Sequence, residues 1–322
     1  LGFTGGTIDK LESIPGFKTD VGIGEFIENV NKVNACIMAQ SPDIAPADGK
    51  LYSLRDVTAS VESIPLIASS IMSKKIASGA DAILLDVKVG SGAFMEDLEK
   101  AERLAKNMVE IGRRLGRKTT ALITDMNEPL GLSIGNSLEV REAIMTLKGE
   151  GPNRLTEACV TLGSHMLMMN GIVTSQDEAR TLMRDNIKNG KGLNKLKEII
   201  IAQKGNPNVI NDTNLLPISK NIVKYRANKT GYITTMNAAD IGKGALYLGA
   251  GREKKGDKID PSVGIVINKR INDRVFQGET IAYIYANGDK GLKETHGLLN
   301  SAITIKETPL EVTKPLIYKI IS

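Results

Sequence analysis

The chain contains no tryptophan, and only 4% of its 322 residues are aromatic. Its 42 basic residues are interspersed with 37 acidic ones, which leaves a mild net charge of +5. Nucleic-acid binding usually needs a basic face, so we expect no nucleic-acid partner. No apolar run approaches the roughly 18 residues of a membrane-spanning helix, so we expect no membrane partner either.

Cysteine and histidine are also scarce, with two of each. Cys36 and Cys159 are far apart and share no metal-ligand spacing, so they indicate buried thiols in a reducing cytoplasm. His165 lies in an apolar, helix-like segment and is expected in the core or at an interface. His296 is expected on the surface, and neither histidine is predicted to carry protons.

One stretch has the pattern of a strand, a glycine turn, a helix and a second strand. Residues 82–89 read AILLDVKV, a buried parallel strand that runs into a glycine turn. Apolar residues at helical spacing predict a helix over 96–116, and TTALIT at 119–124 predicts the next strand. This order is typical of a doubly wound, mostly parallel α/β sheet flanked by helices.

The remaining chain is helical before about residue 205 and β-rich after about residue 222. Two helices that meet near Pro65 are predicted over 56–77. Further helices are predicted over 137–147, 153–169 and 177–203. The Asn- and Pro-containing segment 205–220 is the predicted domain boundary.

Three loops are expected at the carboxyl ends of strands, where ligands collect in such sheets: 4–10, 86–95 and 125–136. Taken alone, the residues there allow plain structural readings. Thr4-Gly-Gly-Thr7 can be a generic turn before a helix, and Phe94 can be a core side chain. Asp86 and Lys88 end the buried strand and need partners or a ligand.

Several blocks together carry a specific resemblance. They read TGGTIDKLESIPGF at 4–17, SPDIAPADGKLYSLRDVTASVESIPLIASSIMSKKIASGADAILLDVKVGSGAFM at 41–95, LITDMNEPLGLSIGNSLEVREAI at 122–144 and LGAGR at 248–252. Over essentially its whole length the chain resembles the pyrimidine-nucleoside phosphorylase and thymidine phosphorylase family. The stretches MSKKIA, LKGEGP and LGAGR are closer to the broad-specificity bacterial members.

The resemblance implies a glycosyltransferase that splits uridine, thymidine or deoxyuridine with inorganic phosphate. A strict thymidine phosphorylase is the alternative. By resemblance, Thr7 binds phosphate, and Arg55, Ser70, Lys74 and Phe94 bind the base, with Arg55 and Lys74 as catalytic donors. Without the family, Arg55 and Lys74 would read as solvent-exposed cations, with Lys75 competing for the role of Lys74.

The resemblance also implies a potassium ion, a homodimer and a cytoplasmic location. Leu130 and Ser133 would bind the ion through backbone carbonyls and Glu142 through its carboxylate, although Glu142 alone would read as a solvated helix residue. Ser133 replaces a common alanine, which matters little if only its carbonyl binds.

Three domains are implied by the resemblance. Residues 1–22 and 79–215 form the α/β phosphate-binding catalytic domain, and 23–78 form part of a small α-helical base-binding domain. A β-rich α+β domain follows at 216–322.

Family members carry further residues upstream, including helices of the small domain and a phosphate-binding glycine loop. Phe3 also stands where the family commonly has histidine. We therefore expect a fragment, and a catalytically incompetent fragment is one open alternative. A phosphoribosyltransferase of related architecture is another, but Asp125 and Glu128 are only a weak candidate pair for the magnesium that it would need.

Overall fold

A computed structural model describes residues 5–39, 45–57, 63–254 and 256–322, and side chains within 52–57 lie outside that description. The chain divides into two compact units, each assembled from separate stretches of sequence. Unit 1 comprises Leu1–Ala39, Asn127–Thr156 and Asp185–Thr313, and unit 2 comprises Gln40–Met126, Glu157–Arg184 and Lys314–Ser322. Among the described residues, no helix is long and apolar enough to cross a bilayer.

Helices and strands follow one another in chain order. The α-helices are α1 (Thr7–Glu12), α2 (Ile23–Val33), α3 (Pro46–Val57), α4 (Ile64–Ala77), α5 (Leu98–Arg114), α6 (Asn136–Leu147), α7 (Asn153–Met169), α8 (Gln176–Lys188), α9 (Lys191–Ala202), α10 (Ala238–Ala245) and α11 (Leu292–Ala302). The strands are β1 (Ala82–Val89), β2 (Lys118–Asp125), β3 (Ser133–Ile134), β4 (Ile222–Arg226), β5 (Gly231–Met236), β6 (Gly264–Ile267), β7 (Arg274–Val275), β8 (Thr280–Tyr285), β9 (Ile303–Lys306) and β10 (Ile317–Ile321). Shorter helical turns lie at Pro207–Ile210, Thr213–Leu215 and Leu246–Ala250.

Unit 2 is built on a sheet with the strand order β1-β2-β10. β1 and β2 are parallel over their whole length, as the sequence predicts, and β10 is antiparallel to β2. The predicted helix after β1 is α5, which begins where the Asp97 carboxylate accepts the Lys100 N–H at 2.7 Å. Its buried stripe includes Ala101, Leu104 and Met108, and it joins α4 and both parallel strands in one core.

Unit 1 contains the β-rich region predicted after residue 222. Its strands form two antiparallel sheets with the orders β3-β6-β8-β4 and β7-β5-β9. Alternating side chains such as Ile233, Ile265 and Ile284 are fully buried between these sheets and the helices α10 and α11. The α/β fold class with a C-terminal α+β region is therefore confirmed.

Several details differ from the sequence-based expectation. The predicted helix 177–203 is two helices, because Gly190 adopts φ +75° between α8 and α9. Pro65 lies in the first turn of α4, where a missing N–H costs nothing. The preceding segment 58–62 is outside the described residues.

The expectations for cysteine and histidine are met only in part. Cys36 and Cys159 are free thiols, but neither is buried: Cys36 is half-buried and Cys159 is exposed. His296 is half-buried rather than on the open surface, because its ring packs 5.7 Å from that of Tyr225. The domain boundaries 23–78, 79–215 and 216–322 stay a prediction.

Candidate active site

Thr7 begins α1 in unit 1, directly after two glycines. The Gly5 N–H donates to the Ala250 carbonyl at 3.0 Å, and the Gly6 N–H donates to the Asp9 carboxylate at 2.9 Å. A Cβ atom on Gly5 would lie 2.2 Å from Asn136 Oδ1, so only glycine permits this close approach. Thr4, the first residue of the predicted loop, is outside the described residues.

The Thr7 side chain is exposed, and its hydroxyl has no hydrogen-bond partner among the residues that the structure describes. The Thr7 hydroxyl is free to donate to an anion. The placement is compatible with the predicted phosphate contact, which stays a prediction.

Ser70 and Lys74 lie one turn apart on α4 in unit 2, and the structure brings them into contact. The Lys74 ammonium donates to the Ser70 carbonyl at 2.9 Å and to its hydroxyl at 3.0 Å. It also forms an ion pair with the buried carboxylate of Asp48 on α3. Lys74 is therefore a partly buried, paired cation and not the solvated lysine that its helix position alone would suggest.

Lys75 differs from its neighbour. Burial lowers the pKa of Lys75, and the adjacent charge of Lys74 lowers it further. Among the described residues Lys75 has no ion-pair partner, whereas Lys74 has Asp48. The structure thus favours Lys74 over Lys75 as the fixed donor.

The other two predicted base-binding residues are placed less completely. The backbone of Arg55 lies in α3, but its side chain is outside the described part of the structure. Phe94 lies in the turn after β1, which curls back so that the Gly90 N–H reaches the Met95 carbonyl at 3.0 Å. Met95 is buried and Phe94 is 64% exposed, so the core reading of Phe94 is wrong.

Asp86 and Lys88, the charges at the end of β1, satisfy each other. Their carboxylate and ammonium are 2.6 Å apart, and Lys88 also donates to the Thr124 hydroxyl of β2 at 2.9 Å. The register pairs Lys88 with Thr124, which explains the contact. These internal partners account for the charges without a ligand.

Glu142 on α6 is a half-buried carboxylate. One of its oxygens accepts the N–H groups of Leu132 and Ser133, at 2.8 and 3.0 Å. Burial raises the pKa of Glu142, the nearby charge of Glu139 raises it further, and the hydrogen bonds from Leu132 and Ser133 oppose the shift. No cationic side chain in the described structure pairs with Glu142. Its second oxygen lies against Gly131, where a Cβ atom would be 1.9 Å away. A half-buried carboxylate without a cationic side-chain partner among the described residues is compatible with a hard cation such as potassium, which stays a prediction.

The weak magnesium candidates, by contrast, have their own partners. Glu128 pairs with Arg270 at 2.9 Å and with Arg154 at 3.6 Å. Asp125 is buried and accepts the Tyr318 hydroxyl at 2.9 Å. Across the described chain, no group of three or more His, Cys, Asp or Glu side chains is placed to hold a metal. Arg270 also donates to the Leu130 carbonyl at 3.3 Å, so one predicted potassium ligand already accepts a hydrogen bond.

Sequence reasoning missed the residues that hold the predicted ligands in place. These are Asp48 beside Lys74, and Asp9, Asn136 and Arg252 around the Thr7 loop. Arg252 ends the LGAGR stretch, which contributed to the resemblance but had no assigned role. Its contact with Asp9 spans 243 residues of sequence, so no local pattern could reveal it.

Comparison with known proteins defines the class first. Residues 1–193 match the α/β domain of the glycosyl transferase family. Residues 232–306 match the pyrimidine nucleoside phosphorylase C-terminal domain. The chain is thus built on the α/β domain of this transferase class, followed by the C-terminal domain of one of its branches.

Comparison of the whole chain with known proteins then identifies the family within this class. The chain is 50% identical over all 322 residues to the pyrimidine-nucleoside phosphorylase of Geobacillus stearothermophilus. It is 51% identical to that of Staphylococcus epidermidis and 50% identical to that of Staphylococcus aureus. All of this chain and 74% of each relative are covered. The chain belongs to the pyrimidine-nucleoside phosphorylase family.

Proposed function

We propose that this protein catalyses the phosphorolysis of uridine, thymidine and deoxyuridine. A phosphate oxygen bonds to C1′ of the sugar while the bond from C1′ to the base nitrogen breaks, and the bonding electrons leave with the base. The products are the free pyrimidine and ribose or deoxyribose 1-phosphate. The observation that carries the proposal is the Ser70–Lys74 pair, a built donor cluster in a chain related throughout to these phosphorylases.

Lys74 supplies the charge that the leaving base requires. Negative charge collects on the ring carbonyls as the bond to the sugar breaks, and a fixed ammonium stabilises it. The Lys74 ammonium contacts Asp48 and two oxygens of Ser70. In this proposal a base carbonyl replaces one of the Ser70 contacts, while Asp48 keeps the ammonium in place. Arg55 is the second proposed donor.

Thr7 and Phe94 have binding roles in this proposal. The Thr7 hydroxyl and nearby backbone N–H groups hold inorganic phosphate, which must be kept close and oriented for its attack. Phe94 offers an exposed ring that contacts the flat face of the base without selecting between pyrimidines.

Potassium belongs to the same proposal. The ion would be held by Glu142 and by the carbonyls of Leu130 and Ser133. It would supply a counter-charge for the half-buried carboxylate of Glu142. The raised pKa of Glu142 and the absence of a cationic side-chain partner in the described structure support this assignment. Glu142 accepts hydrogen bonds from the N–H groups of Leu132 and Ser133. These two contacts attach the turn 131–133 to α6.

A homodimer and a cytoplasmic location complete the proposal. Two free cysteines suit a reducing compartment. Light scattering of the purified protein measures the mass of the assembly, and a monomer at micromolar concentration would contradict the dimer.

The test is release of base, followed by ultraviolet absorbance, from uridine, thymidine, deoxyuridine and cytidine with inorganic phosphate. We assay the 322-residue chain and, in parallel, the chain extended by the upstream segment that the resemblance implies. Activity on uridine and thymidine in the extended form supports the proposal. Release from thymidine alone indicates the stricter enzyme, and inactivity of both forms contradicts the proposal.

A further inference from the structure

The Thr7 loop is fastened to a distant turn of unit 1, the segment 248–252. The buried carbonyl of Ala250 accepts the Gly5 N–H at 3.0 Å. The same carbonyl accepts the amide of Asn136, fully buried at the start of α6, at 2.9 Å. The Ala250 carbonyl is therefore a fixed anchor for the first glycine of the loop.

Arg252 provides the second attachment. Its guanidinium makes a bidentate ion pair with Asp9, with nitrogen–oxygen distances of 2.7 and 3.0 Å. The Asp9 oxygen at 3.0 Å also accepts the Gly6 N–H at 2.9 Å. A continuous chain of contacts thus runs from Arg252 through Asp9 to the residue before Thr7.

Arg252 also neutralises Asp9. The hydrogen bonds from Arg252 are the main reason that the pKa of Asp9 is below its usual value, and burial opposes them. Asp9 is therefore ionised at neutral pH, and only 16% of its side chain is exposed. Left unpaired two residues from Thr7, this carboxylate would repel a bound anion.

The residues around Thr7 make hydrogen bonds and ion pairs within the protein, whereas the Thr7 side chain makes none among the described residues. Lys10 forms an ion pair with Glu139 at 2.9 Å, which holds α1 on its other side. Among the described residues, the Thr7 hydroxyl has no hydrogen-bond partner. The described part of the loop is thus held in shape, and the Thr7 hydroxyl is left for a ligand.

We propose that Arg252 is a positioning residue for phosphate, acting through Asp9 on the Thr7 loop. The C-terminal domain thereby sets the phosphate affinity of a loop near the start of the chain. The proposal rests on the proposed function for the role of Thr7 and adds a role for a side chain that would not touch phosphate itself.

The test is the variant Arg252→Met, with the KM values for phosphate and uridine measured separately. The KM for phosphate is expected to rise about tenfold, the scale of one lost charge-assisted hydrogen bond, with kcat and the KM for uridine little changed. Arg113→Met is the matched control, because Arg113 makes a similar bidentate pair with Glu110 on the exposed face of α5. An unchanged phosphate KM in folded Arg252→Met overturns the proposal.

Two further variants keep the test decisive if the methionine variant folds poorly. Arg252→Lys keeps the charge but loses the bidentate geometry, and an intermediate phosphate KM is expected. Asp9→Ala removes the partner, so Arg252→Met should add little to it. Additive effects in this double-mutant cycle would show that the two residues act independently and would overturn the proposal.

Direct phosphate binding separates the two proposals. Thermal unfolding with increasing inorganic phosphate reports binding without turnover. If the parent protein binds phosphate but releases no base, and Arg252→Met weakens binding, only the proposed function fails. If base is released and Arg252→Met binds phosphate normally, only the positioning role fails. If the parent protein binds no phosphate, both fail.

Discussion

The loop at Thr7 and the helix face at Lys74 prepare for a ligand in opposite ways. At Thr7 the surrounding residues are tied to protein partners, and the hydroxyl that faces a ligand has none among the described residues. At Lys74 the ligand-facing group itself is engaged, by Asp48 and by two oxygens of Ser70. In the proposed function Thr7 donates to phosphate without giving up a protein partner among the described residues, whereas Lys74 exchanges a hydrogen bond for one to the base. The proposed phosphate contact is therefore the more pre-organised of the two.

The largest effect is expected from Lys74→Met. Losing a fixed cation at developing negative charge costs about 10²–10³ in kcat, as for other electrostatic donors. The KM for phosphate should not change, because Lys74 is proposed to act on the base. Steady-state kinetics with both substrates varied measures this, and Lys75→Met is the matched control. Equal losses in both variants would remove the distinction between Lys74 and Lys75.

A smaller effect is expected from Gly5→Ala, which tests the rigid side of the comparison. The new Cβ would meet Asn136 Oδ1 at 2.2 Å and Asp9 Cβ at 2.7 Å. Forcing the loop away costs about 1–3 kcal/mol of unfolding free energy, typical of overpacking, and weakens phosphate binding. Gly6→Ala is the control, because the nearest atom to its Cβ would be 3.8 Å away. Urea unfolding measures the free energy of unfolding of both variants. An unchanged value for Gly5→Ala would show that the loop can move to make room for the added methyl group.

The smallest effect concerns Glu142, a half-buried carboxylate that lacks, among the described residues, the cationic partner that Asp9 has. Potassium should raise the free energy of unfolding by about 1.4 kcal/mol at ten times its Kd, and choline chloride should not. Potassium needs the ionised carboxylate, so its effect should fade as pH falls through the raised pKa of Glu142, at a higher pH than for an ordinary glutamate. Without potassium, the pH dependence of stability has the opposite sign. The folded state binds the proton on Glu142 more tightly than the unfolded state does, so the free energy of unfolding increases as pH falls through the raised pKa.

The variant Glu142→Gln completes this test. It should abolish both the potassium effect and the associated pH dependence, measured by thermal unfolding over a pH series. A potassium effect that survives in Glu142→Gln would place the ion elsewhere.

The same contrast shows what the sequence could reveal. Strand β1 was predictable from its apolar run before a glycine turn, and helix α5 from apolar residues at helical spacing. The contact between Ser70 and Lys74 was predictable for the same reason, since four residues make one helical turn. Gly190 divides α8 from α9. The sequence-based prediction of one helix over 177–203 followed the apolar pattern and gave this glycine no weight.

Partners distant in sequence were not predictable from such patterns. Asp48 is 26 residues from Lys74, and Arg252 is 243 residues from Asp9. Their contacts depend on tertiary packing, which leaves no trace in local spacing. The resemblance named residues that would touch a ligand and gave no role to those that hold them.

The sheet of unit 2 has a consequence for biosynthesis. Its strand β10 comes from residues 317–321, while its partner β2 ends at Asp125, almost two hundred residues earlier. A growing chain therefore exposes one edge of β2 until residues 317–321 have been synthesised and have left the ribosome. During that interval the unpaired backbone is open to pairing with other strands, and pairing with β10 ends that exposure.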